Sequence, residues 1–147
     1  MLDDRLDIIA SDHAPHTWAE KQEDYLHAHA GLPLVQHTLS LMLYYVQEGK
    51  ISIEKVAHKM SHAVADCFQI KERGYIREGY HADLVLVNMH QPTTANKENI
   101  LYKCGWSPLE GFRFPATITH SFVNGHLVYG NGVFNESKMG MRLQFDR

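Results

Sequence analysis

A short apolar run that ends abruptly in a polar loop is the feature that most restricts how this chain can fold. Residues 6–11 (Leu-Asp-Ile-Ile-Ala-Ser) are mostly apolar, and residues 12–17 (Asp-His-Ala-Pro-His-Thr) follow at once. A short buried strand of this kind is typical of a parallel α/β sheet. It should end before Pro15, which has no backbone donor for a sheet ladder. Barrels place catalytic groups just beyond such strands. Asp12 is therefore a candidate catalytic residue, although by spacing alone it could equally cap the loop.

Beyond this loop, the first half of the chain predicts a lid and three helices. Residues 18–29 are polar and of mixed charge, which indicates a long loop or lid. Apolar residues then recur with helical spacing over residues 34–48, which predicts a buried helix that ends at Gly49. Two shorter helices are predicted next, over residues 53–60 with Ser52 as N-cap and over residues 61–68 with Ser61 as N-cap.

After about residue 70 the pattern becomes rich in β-strand signals. Residues 82–87 (Ala-Asp-Leu-Val-Leu-Val) predict a strand, and a long irregular stretch follows to residue 114. The dipeptide Asn124-Gly125 separates two β-prone runs, which predicts a hairpin because both turn positions need positive φ. The chain therefore divides into an α/β part, residues 1–70, and a β-rich part, residues 71–147.

Composition and charge exclude several classes of protein. A hydrophobic share of 44% and a charged share of 21% are ordinary for a soluble globular protein, and no run is long and apolar enough to cross a bilayer. The net charge of -3 gives no reason to expect a nucleic-acid partner. Because Cys67 and Cys104 lie far apart and residues 1–5 lack a signal-peptide pattern, we expect a reduced, cytoplasmic protein. Eleven histidines slightly favour metal chemistry.

The motif at residues 11–17 resembles the last barrel-strand motif of the dihydroorotases, zinc-dependent cyclic amidohydrolases of the amidohydrolase superfamily. It is highly specific. Four later segments also match that family in its own order, although those after residue 70 occur across the whole superfamily. They are residues 30–34 (Ala-Gly-Leu-Pro-Leu), residues 74–85, residues 107–111 (Ser-Pro-Leu-Glu-Gly) and residues 123–125 (Val-Asn-Gly).

This resemblance implies a fold and an activity. The fold is the C-terminal part of a (β/α)8 barrel over residues 1–70, followed by strands of a small β-sandwich and a tail over residues 71–147. The activity is the reversible hydrolysis of dihydroorotate to N-carbamoyl-aspartate in pyrimidine biosynthesis, and the full-length enzyme is expected to be a homodimer. The family's remaining zinc ligands and its substrate-binding arginine are absent from this sequence. We therefore expect a C-terminal fragment that is inactive alone.

The resemblance also assigns roles to individual residues. Asp12 corresponds to a ligand of the binuclear zinc centre that also moves the reacting proton. His16 corresponds to a residue that holds the substrate carboxylate. Ala14 and the loop Gly31-Leu32-Pro33 would line the substrate, because a glycine lets a ligand approach the backbone. Without the resemblance, residues 31–33 would be interpreted as a helix entry. His13 is expected to orient the loop.

Three alternatives remain open. Allantoinases and dihydropyrimidinases share the barrel, the metals and the aspartate, but carry other residues where this chain has His16. A catalytically inactive homologue that serves as a scaffold is a further possibility.

Two histidine pairs are expected not to bind metal. His27 and His29 lie in a polar segment. His58 and His62 have the spacing of a zinc protease, but a lysine, Lys59, stands in place of the catalytic glutamate.

Overall fold

The computed structural model describes residues 3–146 of the chain, with helices before residue 70 and strands after it. The helices are α1 (Trp18–Lys21), α2 (Thr38–Gln47), α3 (Ile53–Ala57), a π-helical segment (His58–His62) and α4 (Ala63–Phe68). The strands are β1 (Leu84–Asn88), β2 (Thr93–Thr94), β3 (Arg113–Phe114), β4 (Thr117–Val123), β5 (His126–Gly130) and β6 (Val133–Phe134).

The strand predicted over residues 6–11 is not formed, and that prediction is wrong as a statement about local structure. Residues 7–11 have no regular secondary structure, and the segment has no strand partner within residues 3–146. The backbone N–H of Ile9 donates instead to the carbonyl of Lys59, at 3.0 Å. A strand is defined by its pairing, and an apolar run without a neighbouring strand has no ladder to join.

Helix α2 confirms the buried helix of the first half, although it begins later than predicted. Residues 35–37 form a turn, and the helix starts at Thr38 and ends at Gln47, two residues before Gly49. Its buried face includes Met42, which packs with Ile51 and Val56 in the main apolar cluster. The side chains of Ile9, Leu39, Tyr45, Val46 and Met60 cover this cluster. The segment before Asp12 is thus anchored to the helices through Ile9.

The two shorter helices predicted over residues 53–68 form one continuous helical stretch. Ser52 is the N-cap as predicted, because its hydroxyl accepts a hydrogen bond from the N–H of Lys55 at 3.1 Å. Ser61 does not begin a second helix. It lies within the π-helical segment, where the N–H of Ala63 still donates to the carbonyl of His58. The segment at residues 18–29, predicted as a long loop or lid, begins with a short helix, α1 (Trp18–Lys21).

The β-rich half forms an antiparallel sheet of four strands in the order β1-β4-β5-β6, with β2 and β3 paired separately. The predicted hairpin is confirmed: β4 and β5 are joined by Asn124 and Gly125, whose φ angles of 51° and 75° are both positive. The predicted β-sandwich domain and the boundary at residue 70 remain predictions.

Two sets of polar contacts link distant parts of the chain: the first lies within the second half, and the second joins the two halves. The buried guanidinium of Arg73 donates to the Asp83 carboxylate and, at 2.5 Å, to the Asn124 side-chain oxygen. In the second set, the Gln36 side chain donates to the carbonyl of Asn99 at 2.7 Å and accepts from the N–H of Leu101 at 2.8 Å. This contact holds the loop after residue 99 against the start of α2. No helix in residues 3–146 is long and apolar enough to span a membrane.

Candidate active site

Asp12 lies at the centre of the candidate site, and its carboxylate is exposed. It makes no hydrogen bond or ion pair with any residue in the range 3–146 that the structure describes. Its backbone is in the left-handed region, with φ 45°. Aspartate tolerates this conformation better than most residues do, and non-glycine residues there cluster at functional sites. The arrangement leaves the carboxylate available for a metal or a reacting proton.

The loop after Asp12 is fixed against the predicted substrate loop. The N–H of Ala14 donates to the carbonyl of Leu32 at 3.0 Å, and His13 and Leu32 form a parallel bridge. Gly31 has φ 98°, and a Cβ atom at this residue would lie only 2.4 Å from the Cβ of Ala14. Only glycine fits this close approach. The structure thus brings Ala14, Gly31 and Leu32 together, with the buried Pro33 beneath them.

His13 bonds to the residue that follows the predicted substrate loop, and its expected role in orienting the loop stays a prediction. Its Nδ1 accepts a hydrogen bond from the N–H of Leu34 at 3.1 Å. The ring lies 5.2 Å from the ring of Tyr102. An Nδ1 that accepts from a backbone N–H carries no proton, so the exchangeable proton of the neutral ring is on Nε2.

His16 lies in a second cluster, with its side chain about one-third exposed. Its imidazole stacks on that of His29, with ring centroids 4.6 Å apart and planes 9° from parallel. Its Nδ1 is 3.7 Å from the Glu20 carboxylate. The indole N–H of Trp106 donates to the His16 carbonyl at 2.8 Å. The bond from Trp106 fixes the backbone of His16, and its ring stays partly exposed.

Glu20 is a member of this cluster that the sequence interpretation missed. Its carboxylate accepts from the N–H and the hydroxyl of Thr17, at 2.7 and 2.9 Å, in a capping box that begins α1. These bonds, chiefly the one from the backbone N–H, lower the pKa of Glu20, and the imidazoles of His16 and His29 lower it further. The signal was present in the sequence as Thr-x-x-Glu. The contact with Trp106 had no such signal, because it joins residues 90 positions apart.

The two histidine pairs set aside in the sequence analysis behave differently from each other. His27 faces Asp24, with its Nδ1 2.8 Å from the carboxylate, and takes no part in the cluster at His16. His29 does join that cluster. His62 stacks on Tyr75 with ring centroids 4.3 Å apart, and within residues 3–146 neither it nor His58 belongs to a group of three metal-binding side chains.

A buried histidine, His37, contacts the loop that carries Tyr102 and Trp106. The ring of His37 lies against Phe114, and its Nδ1 is 3.3 Å from the Tyr102 hydroxyl and 3.4 Å from that of Ser107. Burial lowers the pKa of His37 and raises that of Tyr102. A neutral imidazole is therefore favoured here, and its role is to hold the segment that carries Trp106.

Asp12 could occupy one ligand position of a metal centre, but the described residues around it do not complete such a centre. A catalytic zinc ion takes about three protein ligands. Among residues 3–146 the one group of three candidate ligands is His16, Glu20 and His29, which does not include Asp12. Asp12 could therefore supply a carboxylate to a centre whose other ligands lie elsewhere.

The fold of the chain matches about one third of the length of solved barrel enzymes. An L-hydantoinase (dihydropyrimidinase) from Arthrobacter aurescens matches with a TM-score of 0.83 and 23% sequence identity, over 91% of this chain and 31% of that protein. A D-hydantoinase (dihydropyrimidinase) from a Thermus species also matches with a TM-score of 0.83 and 23% identity, over 88% of this chain and 30% of that one. These structures support the amidohydrolase TIM-barrel fold, of which this chain is a partial α/β unit.

The chain belongs to the amidohydrolase family, whose sequence profile, described as "Amidohydrolase family", matches residues 2–128. A dihydroorotase from Halobacterium salinarum is 38% identical over 111 residues, which cover 76% of this chain and 26% of that protein. One from Pyrococcus horikoshii is 38% identical over 121 residues, 82% of this chain and 28% of that protein. An allantoinase from Desulfitobacterium hafniense is 28% identical over 145 residues, 98% of this chain and 32% of that protein. The resemblance to dihydroorotase-like amidohydrolases is thereby confirmed, and the chain spans roughly 30% of the length of these relatives.

Proposed function

We propose that this chain is the C-terminal part of a dihydroorotase. The enzyme would interconvert dihydroorotate and N-carbamoyl-aspartate by hydrolysis of the ring amide, in de novo pyrimidine biosynthesis. The observation that carries the proposal is the unpaired, exposed carboxylate of Asp12, on a loop held against Gly31 and four residues before His16. The 38% identity to two dihydroorotases supports the same substrate.

In this proposal Asp12 moves the proton of the reaction. A zinc pair, when bound, would lower the pKa of a water molecule to about 7 and polarise the amide carbonyl. Asp12 would supply one carboxylate ligand and accept the proton of the attacking water as the new C–O bond forms. It would then donate that proton to the ring nitrogen as the C–N bond breaks. Its exposed position and lack of a competing partner suit both steps.

His16 would select the substrate. Its imidazole would donate a hydrogen bond to the ring carboxylate of dihydroorotate, while the backbone of Gly31 to Pro33 and the side of Ala14 would face the pyrimidine ring. Of the loop carbonyls, that of Leu32 already accepts from Ala14, and that of Gly31 accepts from the Lys21 ammonium group at 3.2 Å. Each carbonyl oxygen keeps a second lone pair for a ligand.

A second candidate function is hydrolysis of another cyclic amide, as in allantoinases or dihydropyrimidinases. It is favoured by the allantoinase match, which extends over 98% of the chain, and by the hydantoinase folds. A catalytically inactive scaffold would require the loss of the other zinc ligands. We further propose a cytoplasmic enzyme that is homodimeric at full length, with small molecules rather than nucleic acid or membrane as its partners.

Substitution of His16 distinguishes the two enzymatic candidates. In the enzyme with its complete barrel, His16→Ala should lower kcat/KM for dihydroorotate roughly ten- to a hundredfold, because a hydrogen bond to a charged group contributes about 1.5 to 3 kcal/mol. Hydrolysis of dihydrouracil, which has no carboxylate, should be poor in the wild type and barely change. Equal losses on both substrates would mean that His16 only packs the loop, and would favour the second candidate. His27→Ala, an exposed histidine of the same region, is the matched control.

A further inference from the structure

Three metal-binding side chains meet outside the site attributed to Asp12. His16, Glu20 and His29 each direct one ligand atom toward the others, and all three atoms lie within 4.8 Å of one another. His16 lies directly before the N-cap of α1, and Glu20 lies within α1. His29 belongs to the polar segment that follows α1. The turns in this segment bring His29 close to His16 and Glu20.

Each of the three residues is held by contacts of its own. The Glu20 carboxylate is fixed by the N–H and hydroxyl of Thr17. The His16 carbonyl accepts from the Trp106 indole, and the His29 carbonyl accepts from the Lys21 ammonium group. A metal ion would therefore meet ligands whose backbone positions are already set, and side-chain rotation alone would have to adjust the stacked imidazoles. Ligands held in this way lose little conformational entropy when they bind.

The donor set indicates the class of ion. Two imidazoles and a carboxylate suit divalent zinc, nickel and cobalt, whereas calcium and magnesium prefer oxygen ligands alone. His16 and Glu20 are partly buried and His29 is exposed, so an ion could enter from solvent and complete its coordination with water. The nearby Lys21 ammonium group opposes a cation, and this favours weak, exchangeable binding.

We propose that His16, Glu20 and His29 form a metal site for one exchangeable divalent transition-metal ion, separate from the zinc pair attributed to Asp12. The site uses His29 but not His27 of the His-x-His sequence, which is an outcome that spacing alone does not predict. Where the proposed dihydroorotase function also holds, His16 could serve both uses only through different ring nitrogens, because a nitrogen that binds a metal cannot also donate a hydrogen bond to a substrate carboxylate.

A metal titration of the full chain tests the site without any assay of activity. The protein is stripped with a chelator, dialysed and titrated with Ni²⁺ alone, and binding is followed by calorimetry and by tryptophan fluorescence. The indole of Trp106, bonded to His16, should report the ion by quenching. We expect one equivalent to bind. His29→Ala and Glu20→Gln should each weaken binding at least tenfold, and the glutamine variant keeps an acceptor for the capping box.

Two control variants locate the ion. His27→Ala removes an exposed imidazole two residues from His29 and should leave the affinity unchanged. Asp12→Asn should also leave it unchanged, whereas a loss of binding in that variant would place the ion at Asp12 and overturn the proposal. No saturable binding, or unchanged affinity in either His29→Ala or Glu20→Gln, would overturn it as well. Circular dichroism of each variant verifies that the fold is kept, and failure of the dihydroorotase proposal would not alter these results.

Discussion

At the scale of single residues, Asp12 combines a left-handed backbone with an unpaired carboxylate, and this determines which substitution can test it. Alanine would strain a backbone at φ 45°, whereas asparagine tolerates the left-handed region and has the same shape as aspartate. Asp12→Asn in the enzyme with its complete barrel should therefore keep the melting temperature. Turnover of dihydroorotate should fall by about 10² to 10⁴, the range for a lost general acid–base group. Steady-state kcat, zinc content and thermal melting are the measurements.

The control for this substitution lies in the same segment. Asp7 is also exposed, and Asp7→Asn should leave kcat unchanged, which separates the loss of one specific carboxylate from a general change in surface charge. Near-normal turnover in Asp12→Asn would remove Asp12 from the mechanism, whatever the outcome for the metal content.

At the scale of elements, the contact among Arg73, Asp83 and Asn124 joins the segment that follows α4 to the residue before β1 and to the turn of the β4–β5 hairpin. Asp83→Ala would leave the buried Arg73 guanidinium with only the Asn124 oxygen, and would also remove the acceptor, at 2.7 Å, of the Asn124 backbone N–H. Breaking a fully buried pair costs about 3 to 5 kcal/mol. Because the Asp83 side chain is about one-third exposed, we expect a loss of about 2 to 3 kcal/mol in the free energy of unfolding.

Urea denaturation measures this loss, with Glu78→Ala as the control. Glu78 is an exposed acidic residue in the same turn-rich segment, so its removal should change the free energy of unfolding by less than about 0.5 kcal/mol. Equal midpoints for the two variants would show that the Arg73 contact does not stabilise the attachment of the hairpin to the segment that follows α4.

The sequence predicted the elements that depend on neighbouring residues. Helix α2 follows from apolar spacing, the Ser52 cap from a single hydroxyl, and the Asn124-Gly125 turn from positive φ at two adjacent positions. The predicted strand over residues 6–11 failed because strands form by pairing, and no residue pattern within the segment can provide its partner. The continuous helix through Ser61 was missed because a serine hydroxyl favours a cap only where the preceding helix ends.

At the scale of the whole molecule, the candidate site depends on contacts between distant parts of the chain. Trp106 bonds to His16, and Tyr102 lies against both His13 and His37, although the loop that carries both aromatic residues was predicted only as irregular. The resemblance to a family identified Asp12, His16 and Gly31 as a set. The roles of these three residues in binding and catalysis remain predictions, because the geometry shows which side chains meet and not which ligand they bind.

The last prediction concerns the activity of the chain by itself. Asp12 has no companion ligands within residues 3–146, and a catalytic zinc needs about three. The 147-residue chain should therefore neither hydrolyse dihydroorotate nor keep a stoichiometric zinc pair after dialysis against a chelator. The single exchangeable ion proposed at His16, Glu20 and His29 would be removed by the same treatment, so it does not confuse the result. Elemental analysis and a sensitive carbamoyl-aspartate assay are the measurements, with the Asp12→Asn chain as the background control. Two retained zinc ions per chain, or turnover above that background, would contradict the assignment of the remaining ligands to residues outside this chain.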